Sequence, residues 1–262
     1  VQASAHDKAT VYASLNGYRW DDFTPYLYVS KNYGATWQRI GLDLPNEAIN
    51  VVKEDPKNKD LLYVGTDHGL YASLDGGKTF MLMEKDLPKV AIHDLLVHPR
   101  DAELVVGTHG RSIFIADVSQ LQQLTSENLA KNLMVFDIKK MRYGNWGKSG
   151  DTWTNDDAPT SHFPIYAKSG GTVKIKVKAK DMILRDMTAT VKSGINFIPY
   201  DLLYDEKMTP QYQTFLNDNL KEKDAKKIEL KKADDGKFYL QSGKHAIEFE
   251  KDGIKSRKGI NN

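Results

Sequence analysis

The stretch SLDGGKTF at residues 73–80 decides how this chain is read. It follows an apolar run and ends in an aromatic residue, which is the pattern of a tight hairpin between two strands. Asp75-Gly76-Gly77 supplies residues that tolerate positive φ. The Asp75 carboxylate can accept bonds from N–H groups of its own loop, and the hydroxyls of Ser73 and Thr79 can close the same loop. A near-copy, SKNYGATW, lies at residues 30–37, 43 positions earlier. It keeps Ser30, Gly34 and Thr36, replaces the acid with Asn32, and ends in Trp37. Trp37 and Phe80 are expected to pack between neighbouring repeats.

A second alignment supports the first. DPKNKDLLYVGT at 55–66 matches HPRDAELVVGT at 98–108, with 42 positions between the two Gly-Thr pairs. A weaker copy, HDKATVYAS at 6–14, is followed by an insertion, NGYRWDDFTP at 16–25. The unit is therefore a polar turn, a β run ending in Gly-Thr, a second β run, the octet and a variable return. A period of about 43 residues built from short strands suits one four-stranded blade of a β-propeller.

Composition sets outer bounds. The 262 residues are 40% hydrophobic and 27% charged, as in ordinary globular proteins. No run of about 18 apolar residues is present to span a membrane as a helix, and the first residues do not read as a signal peptide. Cysteine is absent, which removes disulfides, thiolate metal sites and Cys nucleophiles. The net charge is +2, with 12 Lys+Arg against 16 Asp+Glu over residues 1–118 and 25 against 19 beyond. The lysines of the second half alternate along strand-like and helix-like stretches and read as a solvated surface. No basic patch interleaved with aromatics is visible, so nucleic acid is not an expected partner.

The octets match S-x-D-x-G-x-T-W/F, the Asp-box or BNR repeat of sialidases, sortilin-type Vps10 domains and two-propeller xyloglucanases. Ser73, Asp75, Gly77, Thr79 and Phe80 match in full; Ser30, Gly34, Thr36 and Trp37 match with Asn32 in the acid position. The wider run DPKN…LLYVGT…GLYASLDGGKTF…HDLLVHPRD…LVVGTHGRSIFIAD resembles large exported bacterial proteins with sortilin-like propellers, often labelled glycosyl hydrolases. In that group GTHGR followed by an apolar strand closes the last blade; here these are residues 107–111 and 113–117. The resemblance implies that Asp-box residues are structural and lie in hairpins away from the ligand face. It also implies a location outside the cytoplasm: extracellular, cell-surface or periplasmic.

Residues 1–118 hold about three units, whereas a closed propeller takes at least roughly four. The expectation is that this chain is the C-terminal part of a longer one, its remaining blades coming from upstream or from a partner. Residues 119–164 read as a helical linker, with Leu121, Leu124 and Leu129 as apolar positions, then a strand and a bridging loop. Residues 165–262 read as an Ig-like sandwich carrying a helical insertion near 209–225, with Thr209 as N-cap and Pro210 in the first turn. This part is similar to the FlgD-like domain that follows the propeller in the same group, where relatives carry Trp at the position of Tyr200. The fold expected is all-β: a partial propeller followed by this sandwich.

Candidate chemistry is sparse. Trp20, Asp21 and Asp22 in the insertion, with His109 and Arg111 of GTHGR, are candidates for the ligand face, Arg111 also for pairing with a carboxylate or carbonyl. Trp146 and Trp153 are candidates for stacking on sugar rings. The arginines lack the context of a sialidase triad, and one carboxylate cluster does not make the facing pair that glycoside hydrolysis needs. His68, His93, His98 and His109 lack metal-ligand spacing, so no metal or cofactor is expected. Three functions remain open: a non-catalytic scaffold binding protein or glycan, a glycoside hydrolase with its cleft in upstream blades, and an accessory subunit of an outer-membrane assembly.

Overall fold

The computed structural model describes residues 1–84, 86–138, 161–220 and 227–261. It divides into two units, Val1–Ala130 and Lys131–Asn262.

The first unit is three antiparallel sheets in sequence order. The first consists of β1 (Gln2–Ala3), β2 (Val11–Gly17), β3 (Asp22–Ser30) and β4 (Gln38–Arg39). The second consists of β5 (Ile49–Glu54), β6 (Leu62–Thr66), β7 (Leu70–Ser73) and β8 (Met81–Leu82). The third has β9 (Ile92–His98), β10 (Glu103–Thr108) and β11 (Ile113–Asp117). These are the blades of an all-β propeller fold. Alternation along the strands gives each blade two apolar faces. Tyr12, Leu27 and Val29 of the first sheet meet Ile49, Val52, Leu62 and Val64 of the second. Tyr63, Leu70 and Ala72 of the second meet Leu95, Val97, Leu104 and Val106 of the third. Each fully buried aliphatic side chain contributes about 1.5–3 kcal/mol.

The octets join the third and fourth strands of the first two blades. Ser73 Oγ accepts the Gly77 N–H at 2.8 Å and donates to Asp75 Oδ1 at 2.8 Å. Asp75 accepts the N–H groups of Lys78 and Thr79 at 3.0 Å each and the Thr79 hydroxyl at 2.7 Å. In the first octet Ser30 Oγ accepts the Gly34 N–H at 2.9 Å, and Asn32 Oδ1 accepts the Thr36 N–H at 2.9 Å. The amide of Asn32 reverses one role, donating to Thr36 Oγ1 at 2.8 Å. Residues 33, 34, 76 and 77 all have positive φ, so the fourth octet position bends the same way as Tyr33 or as Gly76. Each octet is pinned to the first turn of its own blade, by Tyr33 N to Ala9 O and by Gly76 N to Asp60 O.

Trp37 does not pack between blades within this chain: it is 45% exposed. Phe80 does pack, partly buried against the first blade's core. The third blade has no octet. Val118 N–H bonds Ala102 O in the corresponding turn, and the chain leaves as α1 (Ser119–Gln123) and α2 (Ser126–Ala130). Leu124 is buried and Leu121 packs on the second core.

The second unit has two antiparallel sheets around one core. One is β12 (Leu133–Val135), β13 (Ser161–Ala167) and β16 (Gly194–Tyr200); the other is β14 (Gly171–Ala179), β15 (Met182–Val191), β17 (Lys244–Lys251) and β18 (Ile254–Asn261). Val173, Ile175 and Val177 face inward to meet Phe163, Ile165, Ile198 and Tyr200. Residues 161–164, read above as loop, begin β13. The strands on either side of Ser193-Gly194 join different sheets, and Tyr239 forms one isolated bridge with Leu203. Thr209 is not an N-cap. A 3₁₀ turn, Glu206–Met208, precedes α3 (Thr209–Asp218), and Thr209 Oγ1 donates to Glu206 O at 2.7 Å. Of the expected 209–225, residues 221–226 lie outside the described residues.

The lysines of β14 do not form a basic patch. Lys176 is 3.8 Å from Asp186 of β15, Lys178 is 2.6 Å from Glu248 of β17, and Lys255 of β18 is 3.7 Å from Glu250. Charge signs alternate from strand to strand across that face, as favourable cross-strand pairing requires.

Candidate functional site

Antiparallel strands put alternate connections at opposite ends of a blade. The octets and first turns share one end; the β2–β3, β6–β7 and β10–β11 turns share the other. The alignment of the repeats makes Asn16, Asp67 and His109 equivalent: Asp67 and His109 lie just beyond the second strand of their sheets, and Asn16 sits at a register shift near the end of β2, between Leu15 and Gly17. The first strands of the second and third sheets each carry a β-bulge facing these positions: the register shifts between Ile49 and Val51 in β5, and at Thr108 opposite Ile92 and Asp94 of β9. The extra residues are Asn50 and His93. A bulge leaves its extra residue unpaired and re-aims the side chain, which is why bulges recur beside binding sites.

The result is a polar row across the three blades. Asn16 Nδ2 donates to Asn50 Oδ1 at 2.5 Å, and Asn50 Nδ2 donates to Asp67 Oδ1 at 2.9 Å. In the third blade the rings of His93 and His109 lie 5.4 Å apart between centroids, tilted by 50°. Glu47 accepts the Thr66 hydroxyl at 2.7 Å and lies 3.7 Å from His68 Nδ1. Asp94 Oδ1 accepts the Leu95 N–H at 2.8 Å.

The insertion lengthens the β2–β3 hairpin at this same end. Its tip is a 3₁₀ turn, Tyr18–Trp20, closed by Asp21 at φ 58°. Trp20 is 79% exposed, and Leu15, Tyr18 and Phe23 are exposed beside it. Asp22 is committed to the hairpin: it accepts the Thr24 N–H at 2.9 Å and the Tyr26 hydroxyl at 2.8 Å. Those bonds, from Thr24 first and then Tyr26, hold its carboxyl below the usual range and keep it ionised. Tyr26 stacks on Tyr28, with the Arg39 guanidinium 5.4 Å from the Tyr26 ring centroid.

Of the expected ligand-face residues, Trp20, Asp21, Asp22, His109 and Arg111 therefore all lie at the end opposite the octets. Arg111 is exposed and makes no hydrogen bond or ion pair with a described residue, contrary to the expected pairing. Trp146 and Trp153 lie outside the described residues. His98 is at the octet end, 3.2 Å from Asp101. Sequence reasoning missed Asn16, Asn50 and Asp67, and did not pair His93 with His109. The signal was present: aligning the repeats puts a polar residue at both positions in every copy where they occur. Among the described residues no group of three or more His, Asp and Glu is placed to hold a metal ion.

Among solved structures, a GH74 enzyme from Niastella koreensis is 16% identical with a TM-score of 0.36, over 43% of this chain and 20% of that one. The GH74 xyloglucanase from Xanthomonas campestris is 13% identical with a TM-score of 0.36, over 80% and 31%. The extracellular domain of the putative one component system BT4673 from B. thetaiotaomicron is 13% identical with a TM-score of 0.27, over 97% and 31%. The chain spans less than a third of the length of each of these three structures. No curated protein matches it. The family model Sortilin-Vps10, described as "Sortilin, neurotensin receptor 3", matches residues 26–194, and the chain belongs to that family.

Proposed function

We propose that this chain is a non-catalytic binding part of a β-propeller protein, and that it binds protein or glycan at the end opposite the Asp-box octets. The observation that carries the reading is the polar row. Asn50 and His93 are aimed by matching bulges in successive blades, beside an aromatic hairpin that leaves Trp20 exposed. Amides, imidazoles and an open indole serve recognition. Three of the carboxylates nearby are tied to neighbours: Asp22 to Tyr26, Glu47 to Thr66, Asp67 to Asn50. That arrangement supports binding over the paired acid and base of a glycoside hydrolase.

Further blades are the first partner proposed. Leu96, Val105 and Ile115 stand in one cross-strand row on the outer face of the third sheet. Leu96 is 52%, Ile113 69% and Ile115 64% exposed. Such a face matches the ones buried between the other sheets and suits another blade, from the same parent chain or from a partner. The second unit then serves as an Ig-like spacer or docking module, and the whole is exported to the cell surface. No helix among the described residues is long and apolar enough to cross a membrane.

The test is a glycan and peptide array probed with the chain, then repeated with Trp20→Ala and with Asn50→Ala/His93→Ala. Ligand retention lost in both variants is expected. Retention unchanged in both would overturn the placement of the site.

A further inference from the structure

At the octet end, a cleft of about 500 Å³ opens between the first and second sheets. Ser4, His6, Asp7 and Thr10 line it from the first blade, with Lys31 and Gln38 of its octet hairpin; Glu54, Lys59, Asp60 and Lys78 line it from the second. Its volume lies in the ~300–1,000 Å³ range of small-ligand sites.

The groove between the second and third sheets at the same end is closed, and the difference lies in matched residues. Register aligns Val11 with Leu62 and Ser30 with Ser73. It follows that Thr10 corresponds to Leu61, and Lys31 to Leu74. Leu61 is fully buried, and Leu74 and Leu121 of α1 both pack against the second core. Gln122 of α1 donates to Asp55 Oδ2 at 3.0 Å, and Asn58 Nδ2 donates to Leu124 O at 3.3 Å. One groove is thus apolar and plugged by a helix. The other has a hydroxyl and an ammonium at the same positions and is open. An apolar plug of that kind would leave Lys31 and Thr10 desolvated, so the open groove suits a hydrophilic occupant.

The charges narrow the choice. Glu54 is buried and satisfied by neutral donors: Ser4 Oγ at 2.8 Å, Ala5 N–H at 2.7 Å and the Tyr12 hydroxyl at 3.2 Å. Asp7 accepts the Thr10 hydroxyl at 2.6 Å and the Ala9 N–H at 3.1 Å, and Asp60 accepts the Ser126 hydroxyl at 3.1 Å. The three acids are thus held by hydroxyls and amides. Lys31, Lys59 and Lys78 come from three separate loops, are exposed, and make no hydrogen bond or ion pair with a described residue. Their ammonium groups are the uncommitted donors of the cleft.

We infer that this cleft is a second binding site, taking a segment of an anionic polysaccharide whose carboxylate or sulfate groups pair with Lys31, Lys59 and Lys78 while its hydroxyls meet Ser4, Gln38 and Asp60. A peptide groove would offer apolar pockets for alternate side chains; this cleft is lined by Tyr12, Val29 and Ile40 as well as ten polar or charged residues, so the acidic peptide in the test below covers that occupant. The inference is independent of the reading of the opposite end, because the two sites share no residue.

The test is calorimetric titration of the whole chain with a uronate oligomer, a sulfated oligomer of similar length, a neutral glucan oligomer and an acidic peptide. Binding of the uronate or the sulfated oligomer is expected, the pair telling carboxylate from sulfate, with the neutral glucan at least tenfold weaker. Each of Lys31→Gln, Lys59→Gln and Lys78→Gln should weaken binding about tenfold, as loss of a charged hydrogen bond does. Trp20→Ala should leave it unchanged. These lysines are exposed, so the variants are expected to keep the wild-type melting temperature, which is checked alongside. Absence of binding to either anionic oligomer, binding insensitive to the three lysines, or tighter binding of the peptide would each overturn it.

Discussion

The octets of the first and second sheets fold alike and differ in what lies before them. In the second, Gly41 N–H bonds Gly77 O at 3.1 Å, and Phe80 N–H bonds Asp43 Oδ2 at 2.7 Å, both across to the return loop of the first sheet. The Phe80 ring packs on that sheet's core, while Trp37 at the same octet position stays half open. The octet thus encodes its own loop through local hydrogen bonds, and its last residue is a plug for whichever blade precedes it.

Substitution of the shared glycine should separate the two most strongly. A Cβ on Gly77 would sit 2.7 Å from Ile40 Cδ1 of the neighbouring sheet, at φ +88°; on Gly34, at φ +85°, it would meet only Trp37 at 3.8 Å. Gly77→Ala is expected to cost about 2–4 kcal/mol, from backbone strain and overpacking together. Gly34→Ala should cost about 1–2 kcal/mol from strain alone. Urea denaturation followed by tryptophan fluorescence measures both; equal costs would break the comparison.

Acid also acts on the second unit. His245 is buried there, with Nε2 2.9 Å from the Tyr212 hydroxyl, and burial, opposed by the Gly243 backbone, pushes it down to about 4. The unfolded chain takes up a proton below the ordinary 6.5, and the folded unit does so only near 4. Stability therefore falls as pH drops through that window, by on the order of 3 kcal/mol, and levels off below it. Melting curves of wild type and His245→Gln between pH 7 and 4 should diverge accordingly; parallel curves would contradict this.

The plugs come next. Phe80→Ala is expected to cost about 2 kcal/mol, less than a fully buried aromatic, and Trp37→Ala under about 1 kcal/mol. In a longer form carrying a preceding blade, the Trp37 cost should rise to match. The smallest difference is in acid. Burial raises the Asp75 carboxyl, but bonds from the Thr79 N–H and hydroxyl, Ser73 and Lys78 outweigh it and hold it below 3.8. Its stabilisation is complete above that value and drains away as pH falls through the lower folded one. Asn32 does not titrate. Asp75→Asn should remove the acid sensitivity of the second octet, read by hydrogen exchange of the Thr79 amide.

What was legible in the sequence was what is local or repeated. The octets carry their bonds within eight residues, so their pattern shows in the string. The strands of β14 and β17 show through strict alternation. Where the last octet residue packs is not written in the octet: Phe80 meets the core of the first sheet and Trp37 is 45% exposed, a difference set by contacts outside the eight residues. The row Asn16–Asn50–Asp67 was missed because its members lie far apart in sequence and meet only when blades stack and bulges re-aim them. The open cleft was half legible: the exchange of Leu74 for Lys31 stands in the aligned octets, but α1 as the plug of the neighbouring groove is a tertiary fact.

The function proposed for the loop end is binding without chemistry. The most direct measurement is reducing-sugar release from whichever polysaccharide the array identifies, or from a plant and host panel if it identifies none, by this chain and by a longer form with further blades. Retention of ligand at the Trp20 end and no release are expected. Release that disappears when a facing pair of carboxylates is substituted would contradict it and make the protein a glycoside hydrolase.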